Sequence, residues 1–105
     1  FVATFYLKRG EPRAAAMRFE LLLAKFPGVG FDEEATYLLG KCFLLLGDVP
    51  RAVRTWESLG AKYPDHPLAT TAADYINEHG LAGAAYTGPR AEAPDTDVIA
   101  ESKVE

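Results

Sequence analysis

The sequence predicts an all-α fold of about five helices, in which antiparallel helical hairpins stack as a short right-handed solenoid. The main observation is that five residues, of the types aromatic, glycine, alanine, aromatic and proline, recur 37 positions later. They are Tyr6, Gly10, Ala15, Phe19 and Pro27 in the first unit and Phe43, Gly47, Ala52, Trp56 and Pro64 in the second. Apolar residues recur at helical spacing between these glycines and prolines, which mark helix ends. A constant period indicates a repeat protein, and repeat proteins usually act by binding other molecules.

The boundary between the first two helices is predicted from the helix-ending and helix-starting residues around Gly10. The first helix runs to about Arg9 and ends at Gly10, because glycine adopts the left-handed conformation that closes a helix. Pro12 lies in the first turn of the second helix, where its missing N–H group has no intrahelical partner to lose. That helix ends at Pro27-Gly28.

Three further helices follow from similar signals. Asp32 is the predicted N-cap of the third helix, which ends near Leu46. Asp48 is the predicted cap of the fourth helix, which continues to about Tyr63. The fifth helix is predicted over residues 68–79, after a proline-flanked turn.

Two regions are predicted, a helical repeat domain over residues 1–82 and a flexible acidic tail over residues 83–105. The tail is rich in acidic residues, contains Pro89 and Pro94 and shows no sustained apolar period. The repeat phase places position 1 within a helix, so we expect the chain to be a fragment of a longer solenoid. The first helix is apolar on more than one side, and we expect an upstream repeat or a partner chain to cover it.

Composition limits the classes of function. The 105 residues carry a net charge of −4 and no run of Lys or Arg, which argues against a nucleic-acid partner. No stretch approaches the roughly 20 apolar residues that a membrane-spanning helix needs. The single cysteine, Cys42, lies among apolar residues and is expected to be a buried thiol.

Residues of the second unit stand at the spacings of a tetratricopeptide repeat, which the sequence therefore resembles. They are Leu39, Gly40, Phe43, Ala52, Trp56 and Pro64. Small Gly40 and Ala52 are expected to let two helices cross closely, while Phe43 and Trp56 fill the space between helices. The period exceeds the typical value of about 34 residues. The additional residues fit the loop at 27–31.

The run around the first glycine carries a more specific resemblance. It reads Phe5-Tyr6-Leu7-Lys8-Arg9-Gly10 and is followed by Arg18-Phe19-Glu20, Phe26-Pro27, Tyr37-Leu38-Leu39-Gly40, Leu46-Gly47-Asp48 and Tyr63-Pro64-Asp65. Over about Val2 to Leu68 the pattern resembles the C-terminal half of the BamD (YfiO) family of outer-membrane assembly lipoproteins. The sequence departs from that family at Pro12, where the family usually has a large residue. The signal peptide and lipid-attachment cysteine would lie upstream of this fragment.

The resemblance implies a scaffold on the periplasmic side of the bacterial outer membrane, lipid-anchored through the upstream part of the protein. Its partners would be the POTRA domains of a BamA-like protein, together with other lipoproteins of the assembly complex and unfolded barrel substrates. In that family the C-terminal repeats engage BamA, so this chain would hold that contact. No cofactor is implied.

Stacked hairpins also form a concave face from the first helix of each pair, and this face commonly holds a peptide or a domain. The residues predicted to line it or the repeat edge are Thr4, Lys8, Arg9, Glu34, Tyr37, Lys41, Leu44, Asp74 and Glu78. Tyr37 offers a rigid contact with a polar tip, and Lys41 offers a cation for a carboxylate. For each residue, the alternative is a solvated face without a partner.

Arg9 has two possible roles at the end of the first helix. Its side chain could hydrogen-bond the last carbonyl groups of its own helix, which would be a capping role. It could instead project from the repeat edge and bind a carboxylate on a BamA-like partner.

The motif content argues against an enzyme. His66 and His79 lie in a loop and at a helix end, far in sequence from Cys42, and no metalloprotease, hydrolase or zinc motif is present. Glu33 and Glu34 are better explained by the favourable dipole of a helix N-terminus. A general TPR adaptor that binds a peptide or partner domain, and a structural module within a larger enzyme or regulator, are the alternatives to the BamD-like scaffold.

Overall fold

The computed structural model describes residues 2–28 and 30–88 of the chain. Across these residues the structure consists of five helices and contains no strand. The helices are α1 (Val2–Lys8), α2 (Pro12–Lys25), α3 (Asp32–Leu45), α4 (Val49–Lys62) and α5 (Pro67–Glu78). Each predicted helix is present, so the prediction of an all-α, repeat-based fold is confirmed. The described residues include no helix long and apolar enough to cross a bilayer.

The turns at Gly10 and Gly47 have the same geometry. Their φ angles are 77° and 79°, in the left-handed region that glycine enters without steric cost. In each turn the N–H group of the residue after the glycine donates to the carbonyl oxygen five residues back. The distance is 3.0 Å from Glu11 to Tyr6 and 2.8 Å from Asp48 to Phe43. The repeat in the sequence is therefore a repeat of the structure.

The two predicted aspartate caps differ in outcome. Asp48 accepts the backbone N–H of Arg51 at 3.3 Å, which confirms it as the cap of α4. The predicted Asp32 cap is wrong, because Asp32 is the first residue of α3 and makes no capping bond within it. Its carboxylate oxygens instead accept the N–H of Gly28 at 3.0 and 3.1 Å. The Asp32 carboxylate thus joins the two ends of the α2–α3 loop through the Gly28 N–H.

The interior consists of two apolar clusters. The first joins α1, α2 and α3 and comprises Ala3, Ala15, Ala16, Phe19, Ala35, Leu39 and Cys42. The second joins α4 and α5 and comprises Val53, Trp56, Leu59, Ala69, Ala72 and Ile76. Cys42 is fully buried, as predicted, and burial raises the pKa of its thiol to about 11.

Gly40 marks the crossing of α3 and α4. A Cβ atom at this position would overlap the indole of Trp56, so the close approach predicted for this glycine is confirmed. The indole N–H donates to the Tyr37 carbonyl oxygen at 2.9 Å. Trp56 therefore fills the space between the helices with its polar group satisfied.

The chain after α5 returns to α4. Leu81 and Ala85 pack against the second cluster, and the Tyr86 N–H donates to the Pro50 carbonyl oxygen at 2.9 Å. The predicted tail, residues 83–105, thus starts with a stretch in contact with α4. Its remainder, from residue 89, lies outside the described residues.

Within residues 2–28 and 30–88, the first helix is covered on one side. Val2 and Phe5 of α1 are 56% and 55% exposed, and in the described part of the chain α1 packs mainly on α2. These side chains form the apolar side for which the sequence predicts a neighbour.

Candidate functional site

A cleft of about 400 Å³ opens between the N-terminal ends of α3 and α5. Its lining residues are Gly30, Glu33, Glu34, Tyr37, Leu38, His66 and Leu68. Two of the predicted partner-binding residues, Glu34 and Tyr37, lie in this cleft. Their i, i+3 spacing on α3 places them on one side of the helix. The cleft is therefore the place where the structure brings predicted site residues together.

Tyr37 is held in a fixed orientation by the residues around it. Its ring stacks on the indole of Trp56, with centroids 5.3 Å apart and an interplanar angle of 9°. The Lys41 Nζ atom lies 5.7 Å from the centroid of the Tyr37 ring. An aromatic ring oriented in this way loses little conformational entropy when it binds a partner. Tyr37 and Lys41, predicted separately, thus form one contact group.

The floor of the cleft is positioned by the start of α5. The His66 Nδ1 atom accepts the N–H of Leu68 at 3.0 Å and so caps this helix. No sequence pattern predicted this imidazole cap. Glu33 and Glu34 supply acidic groups on the α3 side of the cleft. The cleft therefore combines the aromatic side chain of Tyr37 with an acidic rim.

The other predicted residues lie outside this cleft. Thr4 is half-buried and Lys8 is exposed, both on α1. Asp74 and Glu78 are exposed on α5. Leu44 is half-buried and packs against the second cluster, so its contacts are those of a core residue.

Arg9 is an exposed residue beside the Gly10 turn. Its Nε atom lies 3.3 Å from Glu11 Oε2, and its guanidinium lies 5.5 Å from the centroid of the Phe5 ring. The carbonyl oxygens at the end of α1 accept backbone N–H groups, among them Gly10 to Leu7 at 3.0 Å. The turn therefore supplies the capping that was one of the two alternatives for the Arg9 side chain.

A larger groove of about 720 Å³ runs between α2 and α4, with α3 at its base. Its lining includes Glu20, Leu23, Thr36, Leu39, Phe43, Arg51, Arg54, Thr55, Ser58, Lys62 and Tyr86. None of the residues predicted to bind a partner lines this groove. One side of α4 is polar, with residues 51, 54, 55, 58 and 62 at helical spacing. This pattern in the sequence could have indicated the groove.

Some of the charged side chains that line this groove have partners. Arg51 Nη1 donates to Asp48 Oδ2 at 2.9 Å, and this hydrogen bond raises the pKa of the guanidinium. Burial raises the pKa of the Glu20 carboxyl, and the charge of Arg51 opposes that shift. Lys62 has no ion pair within residues 2–28 and 30–88. The groove thus retains an unpaired cation on α4.

Among the described residues no group of histidine, cysteine and acidic side chains could hold a metal ion. Cys42 is remote from solvent, and burial keeps its thiol protonated at neutral pH. The surfaces present aromatic, apolar and charged contacts instead.

A comparison with known protein families agrees with the fold. The family model of the tetratricopeptide repeat matches residues 6–73, which span α1 to α5. No curated protein and no solved structure gives a significant match. Proteins built from this repeat are typically scaffolds without catalytic activity that hold other proteins. The chain belongs to the tetratricopeptide repeat family.

Proposed function

We propose that this chain is a BamD-like scaffold in the assembly of outer-membrane β-barrel proteins, and that it binds the POTRA domains of a BamA-like partner. On this proposal it works on the periplasmic side of the outer membrane, held there by a lipid anchor upstream. The resemblance to the BamD family rests on the run from Phe5 to Gly10 and the residues that follow it. No match to a curated protein adds to it.

The observation that carries the proposal is the surface at the end of α1. Phe5 is exposed with the guanidinium of Arg9 against its ring, and Lys8 is exposed beside them. Arginine is enriched among the residues that contribute most to the binding energy of protein interfaces, and a guanidinium over an aromatic ring adds a cation–π contact. The Arg9–Glu11 ion pair is solvent-exposed and therefore weak, so a partner carboxylate can replace Glu11.

The test is a binding titration of the full chain with purified POTRA domains of the cognate BamA-like protein. Replacing both cations, in Lys8→Ala/Arg9→Ala, is expected to weaken binding by about tenfold or more if they form a hot spot. A matched control, Arg13→Ala/Lys62→Ala, removes two exposed cations elsewhere and should leave affinity within about twofold. Absence of binding by the folded chain would overturn the proposal.

A second function is favoured by the α3–α5 cleft, namely a TPR adaptor that binds a peptide beside Tyr37. The fixed aromatic ring and the acidic rim suit an extended peptide with an apolar residue and a basic residue. A peptide array probed with the full chain would measure this preference. Glu34→Lys should remove binding of basic peptides, whereas Asp74→Lys on α5 should change it little. An array with no basic–apolar preference would contradict this function.

A further inference from the structure

One wall of the groove between α2 and α4 is mainly apolar. The α2 residues that line it follow the spacing of one helical side and are Glu20, Leu23, Ala24 and Pro27. The base of the groove, on α3, adds the buried side chain of Leu39 and the half-buried ring of Phe43. A stripe of this kind gains free energy when another apolar surface covers it and displaces water.

The opposite wall, on α4, is cationic. Arg51, Arg54 and Lys62 lie along it. Between residues 51 and 62 the helix rises by about 16 Å, at roughly 1.5 Å per residue. The groove residues between the last two cations are Thr55 and Ser58, whose hydroxyl groups carry no charge. The two walls therefore favour different sides of an occupant, an apolar side on α2 and an acidic side on α4.

The carboxylates of the groove leave this cationic wall in excess. Among the described residues, three cations and two carboxylates line the groove, in a chain whose net charge is −4. The Asp32 carboxylate accepts the Gly28 N–H at 3.0 Å and the Tyr63 hydroxyl at 3.4 Å. Glu20 lies on the α2 wall, within the field of Arg51. Charge complementarity therefore favours an acidic partner in this groove.

The helical walls decide the conformation of the occupant. Within α2, α3 and α4 the backbone N–H groups donate to carbonyl oxygens of their own helix. An extended peptide would find few backbone partners there, and its own buried backbone groups would remain unpaired. A helix brings its backbone hydrogen bonds with it and presents a continuous side-chain stripe. The 16 Å of the cationic wall correspond to about three turns of such a helix.

We propose that the groove between α2 and α4 binds an amphipathic helix of a partner protein, with its apolar side on α2 and α3 and an adjacent acidic stripe on α4. Leu23 and Phe43 receive the apolar side chains. Lys62, which has no ion pair in the described part of the chain, receives a carboxylate at the exposed rim. An ion pair at the rim avoids most of the desolvation cost of a buried one. This site is independent of the proposed function, which uses the end of α1.

The test is a fluorescence-anisotropy titration of the full chain with a synthetic helical peptide of about 14 residues. The peptide has leucines at i, i+4, i+7 and i+11 and glutamates along one flank of that stripe. One control peptide has lysines in place of the glutamates, and a second has the same composition in an order that breaks the stripe. The glutamate peptide is expected to bind at least about tenfold more tightly than either control. No binding, or equal binding of the three peptides, would overturn the proposal.

Variants of the chain assign the binding to the groove. Lys62→Glu should weaken binding of the glutamate peptide by about fivefold and should strengthen binding of the lysine peptide. Ala24→Trp places a large side chain in the groove from an exposed position and should weaken binding by at least about tenfold. The matched control Lys41→Glu makes the same charge change at an exposed site outside the groove and should stay within about twofold. Unchanged affinity of folded Lys62→Glu and Ala24→Trp would overturn the site.

A second copy of the chain is the competing occupant of the groove. Sedimentation equilibrium of the same proteins measures self-association. On the proposal, the chain stays monomeric at the concentrations of the titration, and Ala24→Trp does not change its mass. A dimer that Ala24→Trp dissociates would assign the groove to a second copy and overturn the partner helix.

Discussion

The two repeats place the same residue classes at the same positions, yet they pack them differently. Ala3 and Phe19 of the first repeat align with Gly40 and Trp56 of the second. Phe19 is fully buried in the cluster that also contains Ala3, whereas Trp56 occupies the space that a Cβ atom of Gly40 would need. The small residue is therefore matched to the size of the aromatic residue that crosses it.

The aligned pair Phe5 and Cys42 shows a second difference. Phe5 is 55% exposed, and Cys42 is fully buried. Helix α3 packs against α2, α4 and α5, while within the described residues α1 packs mainly on α2. The position in the repeat does not by itself decide burial, because burial depends on how many neighbouring helices surround that unit.

The largest expected loss of stability follows from removing either of the two aligned aromatic residues. Trp56→Ala and Phe19→Ala should each lower the free energy of unfolding by about 3–5 kcal/mol, the usual cost of emptying a buried aromatic site. Trp56→Ala should lie at the upper end, because the stacked ring of Tyr37 also loses its partner. Denaturant unfolding measures both. Nearly unchanged stability of Trp56→Ala would show that Trp56 does not fill the space between helices.

The matching of small residue and aromatic ring predicts unequal destabilisation for reciprocal changes. Gly40→Ala should destabilise by about 1–3 kcal/mol through overpacking, although alanine is the better helix former by about 1 kcal/mol. Ala3→Gly should cost only about 1 kcal/mol.

A double-mutant cycle checks that the cost arises at the Trp56 ring. In the Trp56→Phe background, which resembles the first repeat, Gly40→Ala should become much less unfavourable. An equal cost in both backgrounds would contradict the matching.

The buried thiol of Cys42, in the first cluster, predicts that the free energy of unfolding depends on pH. The pKa of Cys42 is raised from 9.0 to about 11 by burial. Between those values the unfolded chain ionises this thiol and the folded chain does not, so stability falls as the pH rises through this window. The loss approaches about 3 kcal/mol above this window, since one pKa unit corresponds to about 1.4 kcal/mol and the shift is about two units.

Two measurements check this thiol. The pH-dependent loss should be absent from Cys42→Ala, which corrects for the other titrating groups. Thiol labelling should be fast for a cysteine placed at the exposed aligned position, in Phe5→Cys, and limited by unfolding for Cys42. Fast labelling of Cys42 in the folded protein would contradict its burial.

The smallest expected effect concerns the segment that leaves α5. Tyr86→Ala should lower the free energy of unfolding by about 0.5–1 kcal/mol, because it removes exposed cation–π contacts. Tyr86→Phe keeps the ring and should be close to neutral. Thermal unfolding of the two variants distinguishes the ring from the hydroxyl, and equal stability of all three proteins would show that Arg51 and Arg54 gain nothing from Tyr86.

The helix boundaries could be predicted closely, because turn and cap chemistry is local. Gly10 and Gly47 end their helices through their own backbone conformation, and Asp48 caps α4 through a residue three positions away. Asp32 was mispredicted because two partners compete for its carboxylate, and the loop N–H of Gly28 holds it in the fold.

The candidate site was predictable only in part. The repeat phase placed Glu34 and Tyr37 on one side of α3, and the two residues do share a cleft. It could not show that Leu44 packs with the second cluster, since that contact depends on the angle between helices. Nor could it find the groove between α2 and α4, whose mouth is formed by Arg51 and Tyr86, which lie far apart in the sequence.

The sequence by itself determined that the chain is a pair of helical hairpins followed by a fifth helix, because spacing, glycine turns and proline starts act within a few residues. It also predicted that small Gly40 lies where two helices cross closely and that Trp56 fills the space between helices. Only the tertiary structure decided which members of the repeat are buried, and which charged side chains remain without a partner. Those properties depend on neighbours brought together from distant parts of the chain, as Gly88 is brought to Arg54.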